Sequence, residues 1–444
     1  MRTLYHIGKK MSSIKKYLVP YIELLTKRSG EKLFLLLLAM MAMQTVSSIK
    51  HLYEWFMRGV SRVSLNAYYY LMSYSKLPVE KFSKVTMGLA LGLIEESLRG
   101  LPVLLLLDDT LQEKYGSKFE CWGVLHDHTK RNGSTYLKGH CFVALAICVP
   151  VSVGGCVQYL NIPVRFRVRE RDESKLKIAS EMVTEAMAVL SAVPTVVLLC
   201  DSWYTKGEVV ATVAAHPNLE LVGGIRVDTA MFELPVRTGK RGRPPKKGRQ
   251  LCLRDDFDFA PVGDGFAAAM SVLTNLFENV VHMTATAKNL ENPDSYRLFI
   301  STVSPDAINL LFARHLDLLA PPEKRLPWLA PLYLYKFRWN IEVLFYELKT
   351  FWSFGDYRLR SKHAIGNFVN LLAISYAAAK ILPLSDANFV HLQGSSPQAA
   401  KFAIADLIRR DLFFADFLSK LETAGISPSF FDPLAFSDFF DRSS

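Results

Sequence analysis

The chain has no uninterrupted apolar run long enough to cross a bilayer. Its longest, LFLLLLAMMAM (33–43), has 11 residues, and a span needs about 20. It reads as a buried helix, and no signal peptide is evident at the amino terminus. Cysteine is sparse. Six are present, at 121, 141, 148, 156, 200 and 252, with no CxxC pair and no histidine partner at zinc spacing. Cys141, Cys148 and Cys200 lie in apolar runs, where thiols pack as small hydrophobes. A disulfide framework is excluded, and a reducing compartment is expected. There is no internal repeat. None of the ten histidines stands where a general base is needed.

What the chain has in excess is positive charge. The net charge is +11 over 444 residues, which suits a polyanionic partner. The surplus is clustered: residues 1–30 hold seven Lys or Arg against one Glu, and residues 237–249 hold seven with no acid. The second cluster, KRGRPPKKGR (240–249), is extended and proline-stiffened. Arg241 and Arg243 suit a narrow minor groove, with Lys246 and Lys247 beside them; a basic loop touching phosphates only is the alternative. Such a length accommodates two or three domains.

Residues 1–94 read as a helical region with a DNA-binding role in view. Short helical patterns across 44–76 are separated by Ser and Gly, as in helix-turn-helix modules, although Tyr68, Tyr69 and Tyr70 also suit a core. The period then changes. LPVLLLLDDT (101–110) has the pattern of a central buried strand with aspartates at its carboxyl end. HCFVALAICVPV (140–151) and QYLNIPVRFRVR (158–169) read as strands, SKLKIASEMVTEAMAVL (174–190) as an amphipathic helix, and TVVLLCDSWYT (195–205) as a second buried strand ending on Asp201. A β-β-β-α-β order follows, and ligands gather at strand carboxyl ends in such sheets. The loop HDHTKRNGST (126–135) reads as a solvated turn rather than a metal site. Strand-like pieces at 219–227, 280–290 and 295–303 read as an inserted, mostly β subdomain, because 140 residues are too many for a loop. Helices are expected at about 362–382 and 396–424, before an aromatic, acidic tail.

One more helix carries chemistry. In YKFRWNIEVLFYELK (335–349), each residue turns by roughly 100°. Relative to Glu342, Arg338 lies at about −40°, and Tyr335 and Lys349 within about 20°. A carboxylate is thus flanked by two cations and a phenol on one stripe, with Glu347 about 140° away. Alone, the stripe is equally a solvated face held by an Arg–Glu pair. With strand-end aspartates at matched positions, it reads as a third carboxylate beside phosphate-gripping groups. Magnesium prefers such oxygen donors, and two ions about 4 Å apart can clamp a phosphodiester.

Tyr335-x2-Arg338-x3-Glu342-x6-Lys349 resembles the YREK signature of the DDE transposases of the insertion-sequence-four family. DDT and CDSWY resemble that family's two acidic motifs, and the resemblance covers about 95–380. It implies an α/β fold with a ribonuclease H-like catalytic core, a β-rich insertion, and helical regions at both termini. The segments would be 1–94 (helical, DNA-binding), 95–225 (core), 226–325 (insertion with the basic loop), 326–390 (core with the glutamate helix) and 391–444 (carboxyl-terminal helices). In that family the first catalytic aspartate directly precedes a threonine, so the resemblance assigns Asp109, not Asp108, with Asp201 and Glu342 as catalytic metal ligands. Adjacent strand residues face opposite sides, so only one of the pair can serve. Tyr335, Arg338 and Lys349 would contact DNA. The implied cofactors are two divalent metal ions, Mg2+ with Mn2+ as a substitute. The implied partners are double-stranded DNA, as element ends and target, and a second copy in the DNA complex, with no membrane. The implied location is the bacterial cytoplasm, on the nucleoid when DNA-bound. A structure-selective nuclease of the same core and a catalytically idle, transposase-derived DNA-binding protein are the alternatives.

Overall fold

Val103–Leu107 contains no polar residue because it lies inside a sheet covered on both faces. The computed structural model describes residues 9–116, 118–127, 135–236 and 245–423. Six helical segments come first: α1 (Lys9–Ile22), α2 (Lys27–Ala42), α3 (Ile49–Leu52), a π turn (Tyr53–Met57) leading into α4 (Arg58–Val60), α5 (Leu65–Ser73) and α6 (Val79–Leu91). The apolar run at 33–43 lies almost wholly in α2 and is buried.

The sheet begins with β1 (Val103–Glu113), β2 (Gly123–His126), β3 (Tyr136–Val153) and β4 (Cys156–Val168). Helix α7 (Lys175–Leu190) follows, and Ser174 accepts a hydrogen bond from the Lys177 N–H at its start. Then come β5 (Val196–Cys200), α8 (Gly207–Ala215) and β6 (Leu219–Ile225). β3 pairs antiparallel with both β1 and β4, whereas β1, β5 and β6 run parallel. The order β4-β3-β1-β5-β6 is that of a ribonuclease H-like core.

The piece at 219–227, grouped above with the inserted strands although its first seven residues fall inside the 95–225 core segment, pairs as a core strand. It forms the core's outer parallel strand and is not part of the insertion. Its apolar run, LELVGGI, is buried beside β5, which is how a parallel strand looks and not how an insert's hairpin looks. The insertion supplies β7 (Met231–Phe232), β8 (Gln250–Leu251), β9 (Ala260–Val262), β10 (Gly265–Thr274), β11 (Val281–Ala287) and β12 (Arg297–Ser301). β12 pairs antiparallel with β6, and β11 and β10 continue outward. The insertion thus extends the core sheet instead of standing apart from it.

The chain closes with α9 (Pro305–Leu311), α10 (Ala330–Tyr335), a 3-10 turn (Lys336–Arg338), α11 (Trp339–Phe351), α12 (Lys362–Ser385) and α13 (Pro397–Thr423). α12 is long and apolar enough to span a membrane, but 83% of its apolar window is buried inside the protein, as in a core helix. α2 packs against α12 and α13. The Arg409 guanidinium donates to Ala42 O at 2.7 Å and the Lys401 ammonium to Gln44 O at 2.9 Å. Those cations satisfy carbonyls left open where α2 ends. Buried residues from Met11 to Ile408 form one continuous cluster, so the amino- and carboxyl-terminal helices share the core.

Candidate active site

The register of β1 against β5 decides which aspartate goes where. Leu107 is paired with Cys200, so Asp108 and Asp201 follow at the same level on adjacent parallel strands. Registered neighbours project to the same face, and the next residue projects to the other. Asp108 faces α11 and Asp109 faces α7, as their contacts show.

Asp108 is buried, and its Oδ2 accepts from Arg338 Nη1 at 2.8 Å. The same nitrogen lies 3.4 Å from Glu342 Oε1. Burial pushes the Asp108 carboxyl up to about 8. The charges of Asp201 and Glu342 push the same way, and Arg338 opposes them. Asp201 is also raised by burial, with the charge of Asp109 adding to it. Its Oδ1 accepts from the Trp203 N–H at 3.0 Å, and its carbonyl from the Tyr204 N–H at 3.1 Å. Burial works against the charge of Arg338, yet Tyr335, Asp108, Glu342 and Asp201 together hold the guanidinium protonated.

Asp109, the residue expected in this cluster, makes its direct bonds on the α7 side, although its charge still reaches Asp201. Its Oδ1 accepts from Lys175 Nζ on α7 at 2.7 Å and from the Tyr204 hydroxyl at 2.8 Å, and the Cys141 thiol lies 3.4 Å from Oδ2. The group built around Arg338 therefore contains Asp108, and Asp109 is satisfied behind the sheet. Both outcomes follow from strand alternation. The threonine rule points to Asp109, whereas the aspartate bonded to Arg338 is Asp108.

The stripe on the glutamate helix is present, but the helix is not continuous. α10 ends at Tyr335, and Lys336–Arg338 form a 3-10 turn before α11. In a 3-10 turn residues i and i+3 eclipse, which keeps Tyr335 aligned with Arg338. The guanidinium carbon lies 5.8 Å from the Tyr335 ring centre. Two aromatic anchors flank the turn: Tyr335 against Phe299 at 4.9 Å between ring centres, and Phe337 against Tyr159 at 4.8 Å. A Cβ at position 224 would stand 3.3 Å from the Tyr335 hydroxyl and 3.2 Å from Ser202 N. Gly224 thus lets the tyrosine sit tightly between β6 and the Asp201 turn. Lys349 Nζ donates to Leu111 O on β1 at 3.0 Å, so it pins α11 to the strand that carries Asp108. Glu347 belongs elsewhere: it accepts from the Tyr376 hydroxyl and pairs with Lys380 at 3.7 Å.

In the basic loop, Arg241 and Arg243 lie outside the described residues, as do residues 128–134 of the HDHTKRNGST loop. Lys246 is exposed. Lys247 is engaged locally: it donates to Thr274 O at 2.8 Å and to Asn275 Oδ1, with its ammonium 4.7 Å from the Phe232 ring centre.

A family model described as DDE superfamily endonuclease matches residues 20–258, more than half of the chain. The chain belongs to that family. The matched region of this DDE endonuclease includes Asp108 and Asp201 and ends within the insertion, ahead of Glu342. No curated protein matches the chain. Membership makes DNA the substrate class, and enzymes of this superfamily generally use divalent metal ions. The donor set suits such ions, since carboxylate oxygens are the ligands hard cations prefer. Burial does most to raise Asp108, and the charges of Asp201 and Glu342 that add to it are what a dication would neutralise. Among the described residues, no three His, Cys, Asp or Glu side chains lie at metal-ligand spacing. Arg338 stands between two of the carboxylates instead.

Sequence reasoning set Asp108 aside in favour of Asp109, and it is Asp108 that Arg338 contacts. It also missed Lys175, whose position on an amphipathic helix gives no sign of the ion pair behind β1.

Proposed function

We propose that this DDE endonuclease is a DNA transposase of the insertion-sequence-four kind. It would cleave at the ends of an element and join the freed 3′ ends to target DNA. Asp108, Asp201 and Glu342 are the carboxylates assigned to two divalent ions, in place of the set headed by Asp109. When bound, the ions would activate the attacking water or 3′ hydroxyl and offset charge on the leaving oxygen. Arg338 orients Asp108 and Glu342 and offers its remaining N–H groups to a phosphate. Lys349 and Tyr335 hold the glutamate helix on the sheet beside that phosphate. Asp109 keeps Lys175 and Tyr204 in place behind the site. Lys246, Arg241 and Arg243 contact the DNA backbone or minor groove, and two copies pair the two ends.

The observation that carries this reading is the Arg338 bridge. One guanidinium from the YREK stripe reaches both the β1 aspartate and the helix glutamate. An idle DNA-binding relic has no need to keep that arrangement.

The test uses full-length protein, magnesium, and a labelled fragment of the DNA flanking its own coding sequence. Wild type should release 3′ ends and join them to a second DNA, whereas Asp108→Asn and Glu342→Gln should bind the fragment without cutting it. Cutting without joining would assign the site to a nuclease. Binding without cutting, in both Mg2+ and Mn2+, would refute the catalytic reading.

A further inference from the structure

We propose that a cavity behind the glutamate helix binds a small zwitterion with an apolar side arm, of the α-amino acid class, and that this ligand steadies α11. The cavity is separate from the carboxylate cluster, so the inference goes beyond the transposase reading and does not depend on it.

The cavity has a volume of about 280 Å3 and is walled by β4, α11, the later turns of α12 and residues 392–395. Small-molecule sites usually enclose about 300–1,000 Å3, so its occupant is small. Glu347 and Lys380 stand in this cavity with side chains only 13% and 21% exposed. A pair so far removed from water normally closes to contact, because desolvation is offset only by good geometry and direct hydrogen bonds. These two groups stay 3.7 Å apart, beyond hydrogen-bond distance. The Tyr376 hydroxyl donates to Glu347 Oε2. Among the described residues, nothing donates to Glu347 Oε1 and nothing accepts from Lys380 Nζ at hydrogen-bond distance. Neither atom is shut off from solvent. Burial pulls the lysine below its ordinary range and Glu347 opposes that; an anion seated on Nζ would oppose it further.

The charge pattern defines the ligand. Glu347 calls for a cation and Lys380, beside it, for an anion, while the pair as a whole is neutral. A lone anion would be repelled by Glu347, and a lone cation by Lys380. A zwitterion satisfies both, with its carboxylate on Lys380 and its ammonium on Glu347. Further acceptors lie on the same walls. Asn161 Nδ2 is committed to Asn340 O at 2.6 Å, and its buried Oδ1 has no donor. Pro383, inside α12, has no N–H for the Ala379 carbonyl one turn back. Leu344, Leu384 and Leu392 supply an apolar wall for the side arm. Glu347 and Leu344 belong to α11, and Lys380 to α12, so the ligand would tie the two helices together. The first turn of α11 carries Glu342 to Arg338, so that tie restrains the helix that bears the carboxylate.

Binding is measured on the full chain without DNA, so it is decided apart from any cleavage. The probes are the common α-amino acids, taken one at a time, in thermal melts and calorimetry. An apolar one should raise the Tm of wild type in a concentration-dependent way. Its N-acetyl and amide derivatives, each lacking one charge, should not. Lys380→Met and Glu347→Gln should each weaken binding roughly 10- to 150-fold, the scale of a hydrogen bond to a charged group. Should either variant fold poorly, Val343→Phe gives a second route: it fills the cavity from an exposed position on α11, leaves both charges in place, and should also abolish binding. Amide hydrogen exchange across Trp339–Phe351 should slow when wild type is saturated.

The inference is overturned if no amino acid shifts the Tm of wild type, if the blocked derivatives bind as well as the parent, or if the folded variants bind like wild type. Binding with unchanged exchange across α11 would overturn the steadying role.

Discussion

Replacing Asp108 and Asp109 one at a time by asparagine should separate stability from catalysis. Asp109 forms an ion pair with Lys175 in which the two side chains are only 15% and 18% exposed. Removing one partner of a buried pair costs about 3–5 kcal/mol, because the other charge is left uncompensated. Asparagine keeps the shape and one acceptor oxygen for Tyr204, so the expected loss is somewhat smaller, about 2–3 kcal/mol. That should lower the melting temperature by a few degrees. The folded remainder should still cut DNA.

Asp108→Asn should do the reverse. Its negative charge is disfavoured by burial and by Asp201 and Glu342. With its carboxyl pushed up to about 8, Asp108 is already mostly neutral at neutral pH, so asparagine changes little charge, and Arg338 keeps a neutral acceptor at position 108 and its contact with Glu342. Stability should therefore stay within about 1 kcal/mol of wild type. Cleavage should fall by at least about 10²-fold, the scale at which loss of one preorganised electrostatic group acts. Thermal melts and single-turnover cleavage, at a temperature where all three proteins are folded, read the two effects independently. If Asp109→Asn abolishes cutting there while Asp108→Asn preserves it, the assignment made from strand register is wrong.

Other consequences are open to measurement. Arg338→Lys keeps a charge but cannot span Asp108 and Glu342 with a planar fork; cleavage should drop by roughly 10²-fold with binding nearly unchanged, and equal activity would remove the bridge from the mechanism. In the basic loop, Lys246→Ala should reduce the slope of log affinity against log salt by about 0.9, and neutralising Arg241 and Arg243 should reduce it further. Lys247→Ala should leave the slope alone and cost about 1 kcal/mol of stability, since Lys247 is bonded to Thr274 and Asn275. His140 is buried between Tyr357 and Glu120, and burial pushes it down to about 4. Its folded value lies below its unfolded one, so its contribution is complete above about pH 6.5 and is lost as pH falls towards 4. The gap in stability between wild type and His140→Gln should therefore shift by up to about 3 kcal/mol across that window, and a pH-independent gap would mean the imidazole titrates normally.

How much of this was legible in advance depends on the kind of information each feature needs. LLLLDD and VVLLCD betray buried parallel strands because burial on both faces demands continuous apolar residues, and the acids mark where the burial ends. The amphipathic period of 174–190 and its Ser174 cap are local, and α7 starts at the next residue, Lys175. The stripe of Tyr335, Arg338 and Glu342 is local as well, and it survives a 3-10 turn because eclipsing residues three apart has the same effect as a helical repeat. The place of β6 was not local. LELVGGI has an apolar run that fits either a core strand or an insert, and only pairing with β5 on one side and β12 on the other assigns it.

The choice between Asp108 and Asp109 needed the same long-range fact in a sharper form. Alternation says that only one can face the glutamate helix, but not which one. That depends on which residue of β1 stands level with Asp201, a relation between strands more than 90 residues apart in sequence. A motif rule stands in for register only when the strand enters the sheet in the same phase in every relative. Here the phase is set by the pairing of Leu107 with Cys200, and it gives Asp108 to Arg338 and Asp109 to Lys175. On the proposed reading the adjacent carboxylates divide two tasks, Asp108 at the phosphate and Asp109 bracing, through Tyr204, the turn that carries Asp201. For that reason the paired asparagine variants should fail in different assays rather than in the same one.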